Sequence, residues 1–461
     1  MEEGFPTVSE PDDAAFILDR LRGLEKVIPA AVLDRVLADC GLDRQKSCLL
    51  SHGVMLWVVV AMGLLTHLPI RQVFKHARRL REGERTPPRN SLCDARRRLG
   101  ADPVRLLHQR IVRPLATPQT PGAFYHQWRL MAIDGTLLDA PDSDANAAHF
   151  KRSDGGRGPG AFPQVRKLSL VELGAHVETA LVIGGWQDAE QTLAPKLYDR
   201  IPADALLLAD RGFYSVADWK TLDKQGIKLL FRIKSNLVLT PIRRLADGSF
   251  LAMIYDTVAD RRKDRNGCVV RVIEYTLDDP QRTGHGEKHR MMTNLLDADK
   301  HPALALILLY HERWEIERVY DEQKTHHDPR RPGKPAHFRS ETPMGVEQEA
   351  YAISLGHFVV RALMTAAAAQ TGQDPDRLSY TGCFRILQAR LPECDRSGSE
   401  GMTTWVRGLL WEMSQERIEP RRNRINPRVV KRKMSKYAKK RPHHRHPPPL
   451  TQTFAETVHI G

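Results

Sequence analysis

Three acidic residues stand where their surroundings could make them reactive. Asp134 ends the run RLMAID and is followed by Gly135 and Thr136, and Asp210 ends ALLLAD and is followed by Arg211 and Gly212. Glu317 lies in ALALILLYHERWEIERVYDEQKTHH, which starts at Ala303. A carboxylate at a strand end sits at the rim of an α/β sheet, where ligands usually bind. A glycine beside it lets the backbone turn sharply and leaves room for a bulky substrate. An Asp-Gly at a strand end is more often a plain turn, so the information lies in having two such sites. Two divalent ions about 3.5–4 Å apart need several converging carboxylate oxygens, one ion activating a hydroxyl and the other stabilising a leaving oxygen. Two strand-end aspartates and one helical glutamate can supply them.

The Ala303 segment reads as one long helix. At about 100° per residue from Tyr310, Arg313 falls at about 300°, Glu317 at about 340° and Lys324 at about 320°, a shared arc of about 60°. Leu308, Leu309, Ile316, Val319 and Tyr320 lie next to that arc, so the charged cluster borders a buried face. Arginine and lysine there would hold phosphates, and Tyr310 or Trp314 could stack on an unpaired base. The plain alternative is an Arg313–Glu317 support pair on an exposed helix. Asp321 falls on the same face, at about 20° on the wheel.

The elements expected to position these residues form a mixed α/β sheet. RLMAID, VRKLSLVEL, VETALVIGG, ADALLLAD and KLLFRIKS read as strands, with helices at AEQTLAPKLYDRI and SVADWKTLDKQG. SDGGRGPGAFPQ reads as a polar loop, and residues 236–300 as a mostly β insertion that interrupts the layout. Residues 14–116 read as a helical N-terminal DNA-binding domain; Arg78, Arg79, Arg81, Arg96, Arg97 and Arg98 on its basic helices could enter a DNA groove. The catalytic domain is expected over 125–365, a helical region over 366–416, and a basic, disordered tail over 417–461.

Composition agrees with a polyanionic partner. The 461 residues suggest two or three domains. The formal charge is +14, and residues 417–446 carry thirteen Lys and Arg against the single acid Glu419, nearly the whole excess. A flexible basic arm can neutralise phosphates and release counterions. Six scattered cysteines without a C-x-x-C pair argue against structural zinc and a disulfide framework. The acidic N-terminus lacks a signal-peptide core, and the apolar run from Val54 to Leu65 is too short to span a bilayer. These features predict a cytoplasmic, nucleoid-associated protein with no membrane partner.

At these motifs the sequence resembles the DDE transposases of the insertion-sequence-four family. The resemblance rests on AIDGT around Asp134, LADRGFYS around Asp210, and YHERWEIERVYDEQK, which fits the family's Tyr-Arg-Glu-Lys signature from Tyr310 to Lys324. The block AFPQVRKLSLVELG and the helical N-terminal region also fit, so it covers roughly residues 15–365. It implies an RNase-H-like core with a β insertion between the second Asp and the Glu. It also implies Asp134, Asp210 and Glu317 as catalytic residues holding two Mg²⁺, with Mn²⁺ as substitute. Tyr310, Arg313 and Lys324 are implied to contact DNA near the cleaved end, with Trp314 and Arg211 beside them. The implied activity is cleavage at the terminal inverted repeats and joining of the freed 3′ hydroxyls to double-stranded target DNA, in a paired homodimer. The rival readings are an RNase-H-like nuclease that cuts without joining and a non-catalytic DNA-binding derivative; the intact carboxylate trio disfavours the latter.

Overall fold

The computed structural model describes residues 13–43, 48–78, 83, 85–155, 158–279, 285–327, 338–396, 399–419 and 452–461. In chain order, a 3₁₀ helix (Asp13–Lys26) is followed by five α-helices: α1 (Ala30–Asp39), α2 (His52–Leu64), α3 (Ile70–Ala77), α4 (Arg89–Leu99) and α5 (Asp102–Ile111). Then follow β1 (Phe124–Tyr125), β2 (Trp128–Asp139), α6 (Asp144–Phe150), β3 (Arg152–Gly155), β4 (Gly158–Glu172), β5 (Val177–Gly185) and α7 (Glu190–Leu193). The middle of the chain holds β6 (Ala205–Ala209), α8 (Val216–Lys224), β7 (Lys228–Arg232), β8 (Arg243–Arg244), β9 (Phe250–Ile254), α9 (Val258–Lys263), β10 (Cys268–Leu277), β11 (His289–Thr293) and α10 (Ala303–Tyr310). Last come α11 (Glu315–Asp321), α12 (Pro343–Gln370), α13 (Tyr380–Arg390), α14 (Ser399–Ser414) and β12 (Val458–Ile460). They form two compact units, one of residues 1–204 and 314–418, the other of 205–313 and 419–461.

In the first unit the helices before residue 116 and those after 343 share one apolar core. Val58, Val59 and Phe74 from the N-terminal helices lie in it with Leu355, Val359, Phe384 and Leu409. Residues 14–116 and 366–416, expected as separate regions, both lie in this unit and contribute to that core. α12 is long and apolar enough to cross a membrane, but 72% of that stretch is buried inside the protein, which makes it a core helix. Arg96, expected to face DNA, instead binds α12, donating to Gln348 Oε1 at 2.7 Å and to the Gly345 carbonyl at 2.7 Å, with Glu349 at 3.3 Å. Arg97 and Arg98 are exposed, Arg78 is half-buried, and Arg79 and Arg81 lie outside the described residues.

The strands of this unit are antiparallel. β4 pairs β2 along its length, with β3 and β5 on its other side. The polar loop expected at SDGGRGPGAFPQ is in large part strand, because β4 starts at Gly158 and pairs Pro159 with Asp154 of β3. Val165, Leu168, Leu170 and Val171 of β4 are buried.

In the second unit β6 and β7 run parallel, and β11, β10, β9 and β8 add to β7 in that order, antiparallel. The sheet is mixed, as expected, and the fold is α/β. The segment 236–300 does not interrupt this sheet, however; it widens it. β11 is buried at all five positions and pairs Met292 with Phe231, so it is a central strand. The run GSFLAMIYDTV stops being strand at Ile254, and the Thr257 hydroxyl caps α9 by accepting from the Asp260 amide at 3.0 Å. The basic tail also needs correction at its end. Residues 420–451 lie outside the described residues, but β12 pairs with β10 through Tyr275, Thr276 and Leu277. Apolar Val458 and Ile460 make an edge strand where charge composition suggested only a disordered arm.

Candidate active site

Asp134 is not at a strand end. β2 continues five residues beyond it, and Asp134 stands opposite Ser169 of β4. Gly135 makes no turn either. A Cβ there would lie 2.3 Å from Glu190 Oε1, so the missing side chain admits the Glu190 carboxylate, which Arg166 holds at 2.8 Å. The Gly135 amide donates to Asp134 Oδ1 at 2.8 Å and orients it. Asp210 does sit as expected, directly after β6. The Gly212 amide donates to its Oδ1 at 2.7 Å, and a Cβ on Gly212 would come within 2.9 Å of that oxygen, so glycine leaves the carboxylate room in this position. Arg211 is exposed.

The long helix expected through Glu317 is broken twice. α10 ends at Tyr310, His311–Trp314 form a 3₁₀ turn, α11 carries Glu317, and Glu322–His326 form a π turn. The shared 60° arc is therefore replaced by three differently wound segments. In a 3₁₀ turn residues three apart eclipse, and the Arg313 guanidinium accordingly lies 5.9 Å from the Tyr310 ring centroid. The division between the units falls between Arg313 and Trp314. Tyr310 and Arg313 belong with Asp210, and Glu317 and Lys324 with Asp134.

Both Tyr310 and Arg313 are buried, at 6% and 8% exposure, where DNA-contacting residues were expected. The Tyr310 hydroxyl donates to the Ala209 carbonyl at 3.3 Å, the residue before Asp210, and burial pushes its pKa up to about 12. Trp314 is 53% exposed and Glu317 is exposed.

Two side chains tie the Glu317 segment to β2. The Tyr320 hydroxyl donates to the Asp134 carbonyl at 2.5 Å, and burial, then the charge of Asp134, raises its pKa well above the ordinary value. Lys324 Nζ donates to Thr136 Oγ1 and, at 3.1 Å, to the Leu137 carbonyl. Burial lowers the Lys324 pKa to about 8, with Lys167 adding to the effect. Thr136, Lys167, Lys324 and Phe338 line a small cleft. Asp321 pairs with His326 at 3.2 Å, five residues on, as the wider π spacing allows, and this hydrogen bond lowers its pKa.

The layer beneath was missed by the sequence reading. Lys167 binds Glu178 at 2.7 Å, and Gln323 Nε2 donates to the same carboxylate at 3.0 Å. Burial alone would raise Glu178, yet Lys167 and Ser169 bring it down to about 2. The only signal was alternation: Lys167, Ser169 and Glu178 are polar positions in strands otherwise rich in apolar residues.

Asp134 and Asp210 are half-buried, Glu317 is exposed, and all three are hard oxygen donors suited to Mg²⁺ or Mn²⁺. His176, Glu315 and Asp376 also bring ligand atoms within 4.8 Å of one another. There, however, Arg361 donates to His176 Nδ1 at 2.7 Å, and a guanidinium so close opposes a dication.

Comparison with known proteins defines the class. Residues 126–341 match the Transposase DDE domain, and residues 18–109 match the Insertion element 4 transposase N-terminal family. The chain belongs to the DDE transposases of the insertion-sequence-four family. It is 27% identical over 426 residues to Transposase InsG for insertion sequence element IS4 of Escherichia coli (strain K12), covering 90% of this chain and 93% of that one. Putative transposase InsZ of the same strain is 26% identical over 181 residues, 38% of this chain and 59% of InsZ. A solved piggyBac transposase synaptic complex with hairpin DNA aligns with 85% of each chain at TM-score 0.45 and 12% identity.

Proposed function

We propose that this chain cleaves DNA at the terminal inverted repeats of its own element and joins the freed 3′ hydroxyls to target DNA. Asp134, Asp210 and Glu317 act as the catalytic carboxylates of an RNase-H-like core, holding two Mg²⁺, and two copies pair the two ends. The observation that carries this reading is the hydrogen bond from Tyr320 to the Asp134 carbonyl. It docks the helix of Glu317 on the strand of Asp134, in a chain whose family uses these motifs. When bound, the two ions make a hydroxyl more acidic and offset charge on the leaving oxygen. The protein's own groups do the rest. The backbone amides of Gly135 and Gly212 aim two carboxylates. Lys324 and exposed Arg211 meet phosphates, and exposed Trp314 offers a face for a base.

One observation favours a nuclease that cuts without joining: the burial of Tyr310 and Arg313 withdraws two expected end contacts. A single assay separates the two. A pre-cleaved element end carrying a 3′ hydroxyl is incubated with supercoiled target plasmid and Mg²⁺. Joined product supports the transposase, whereas no joined product from a preparation that does cleave uncut element ends leaves the nuclease.

A further inference from the structure

Beneath α11 lies a buried ion network that the proposed chemistry does not use. Glu322 in the π turn accepts from Arg361 Nε through Oε2 at 2.9 Å and from a second nitrogen of the same guanidinium through Oε1, while His357 Nε2 lies 2.8 Å from Oε2. Arg361 also donates to His176 Nδ1 at 2.7 Å. That nitrogen is then an acceptor, so the imidazole proton sits on Nε2, 2.8 Å from Glu315 Oε2. Arg361 and His176 are each 2% exposed and Glu322 is 4% exposed. Burial alone would raise the Glu322 pKa, but Arg361 and His357 hold this carboxyl well below the usual range.

Glu315 and Glu322 bracket Glu317 in the chain, two residues before it and five after. We propose that Arg361 is a positioning residue for Glu317: from the middle of α12 it grips the segment carrying that carboxylate on both sides, directly at Glu322 and through His176 at Glu315. The planar fork of arginine fixes direction as well as distance. Such fixing matters here because Glu317 is exposed and follows a 3₁₀ turn, so its direction depends on how the backbone that carries it is held. Fixed outer partners of a metal-holding group typically change metal affinity by roughly 10–100-fold when lost.

The inference rests on the reading of Glu317 as a metal-holding carboxylate. Its test uses the full chain with Arg361→Met, His176→Leu and His176→Gln. His176→Leu cuts the Glu315 arm, together with the 3.4 Å contact of His176 with Asp376, and leaves Arg361 on Glu322. His176→Gln keeps one acceptor and one donor at that position. Four quantities are measured: melting temperature, element-end binding, Mn²⁺ binding by calorimetry, and the Mn²⁺ concentration for half-maximal end cleavage. Arg361→Met and His176→Leu are expected to raise both Mn²⁺ midpoints roughly tenfold or more while end binding holds, and His176→Gln to restore them. Should Arg361→Met fail to fold, His176→Leu decides. Midpoints equal to wild type in a folded variant, or a lowered melting temperature as the sole change, overturn the inference. A wild-type protein that binds no Mn²⁺ at all overturns the functional reading instead.

Discussion

The Tyr320 hydroxyl reaches the backbone carbonyl of Asp134 at 2.5 Å, and four residues later Lys324 reaches Thr136 and Leu137 of the same strand. Two contacts from one helical segment to one strand fix both the distance and the rotation of that segment. Glu317 rides on it one turn before Tyr320.

Removing the charge of any proposed metal-holding carboxylate should abolish cleavage without loosening DNA. Asp134→Asn, Asp210→Asn and Glu317→Gln are each expected to lose about a thousandfold or more in end cleavage in Mg²⁺, the scale on which lost transition-state charge stabilisation is felt. Gel shifts with element-end DNA should match wild type. Full cleavage by one variant removes that residue from the site.

Tyr320→Phe takes away one hydrogen bond and keeps the ring. A stability loss of about 1 kcal/mol is expected, the usual net value of such a bond. Because the bond docks the Glu317 helix, end cleavage should fall by more than the fraction unfolded explains. Denaturant melts and single-turnover cleavage on the same preparation check this, and equal proportional losses would make Tyr320 a packing residue only.

Lys324 gives the site a pH signature. Its pKa in the folded protein is about 8, below the ordinary 10.5. The unfolded chain therefore holds more protons between those values, and stability should rise with pH from about 8 towards 10.5 as the buried charge is relieved. Phosphate binding should move the other way, weakening above about pH 8 as the ammonium is lost. Lys324→Met should remove the Lys324 contribution to the stability slope, and Lys324→Arg should flatten the decline in end joining. A joining profile for Lys324→Arg that overlays wild type from pH 7 to 10 excludes this role.

Two ends of the tail should behave differently. Changing the basic residues between 420 and 451 to glutamine is expected to lower the dependence of DNA affinity on salt and leave melting unchanged, since phosphate contacts release counterions. Deleting 452–461 removes β12 from β10 and should lower the melting temperature instead. An unchanged salt slope in the glutamine variant would mean that the basic stretch is no DNA arm.

Local chemistry made much of this protein readable from its sequence. Alternating and apolar runs marked β2, β5, β6, β7 and β10, and the spacing from Tyr310 to Lys324 marked the family. The same local view placed Asp134 at a strand end, because the run after it, GTLLD, looks like a departure from strand and pairs only when β4 lies beside it. It drew one straight helix through Glu317, since helical periodicity carries no sign of a 3₁₀ turn or a π turn imposed by partners elsewhere. Arg96 and Arg361 show the limit most clearly. Both are basic residues on helices, and composition alone sends such residues to solvent or to DNA. Each instead meets a buried acid distant along the chain, Glu349 at 253 residues from Arg96 and Glu322 at 39 residues from Arg361. Side-chain type and spacing determined which carboxylates could do chemistry; only the packing of α12 against the rest of its unit decided which charges support them, because an ion pair depends on proximity in space and not along the chain.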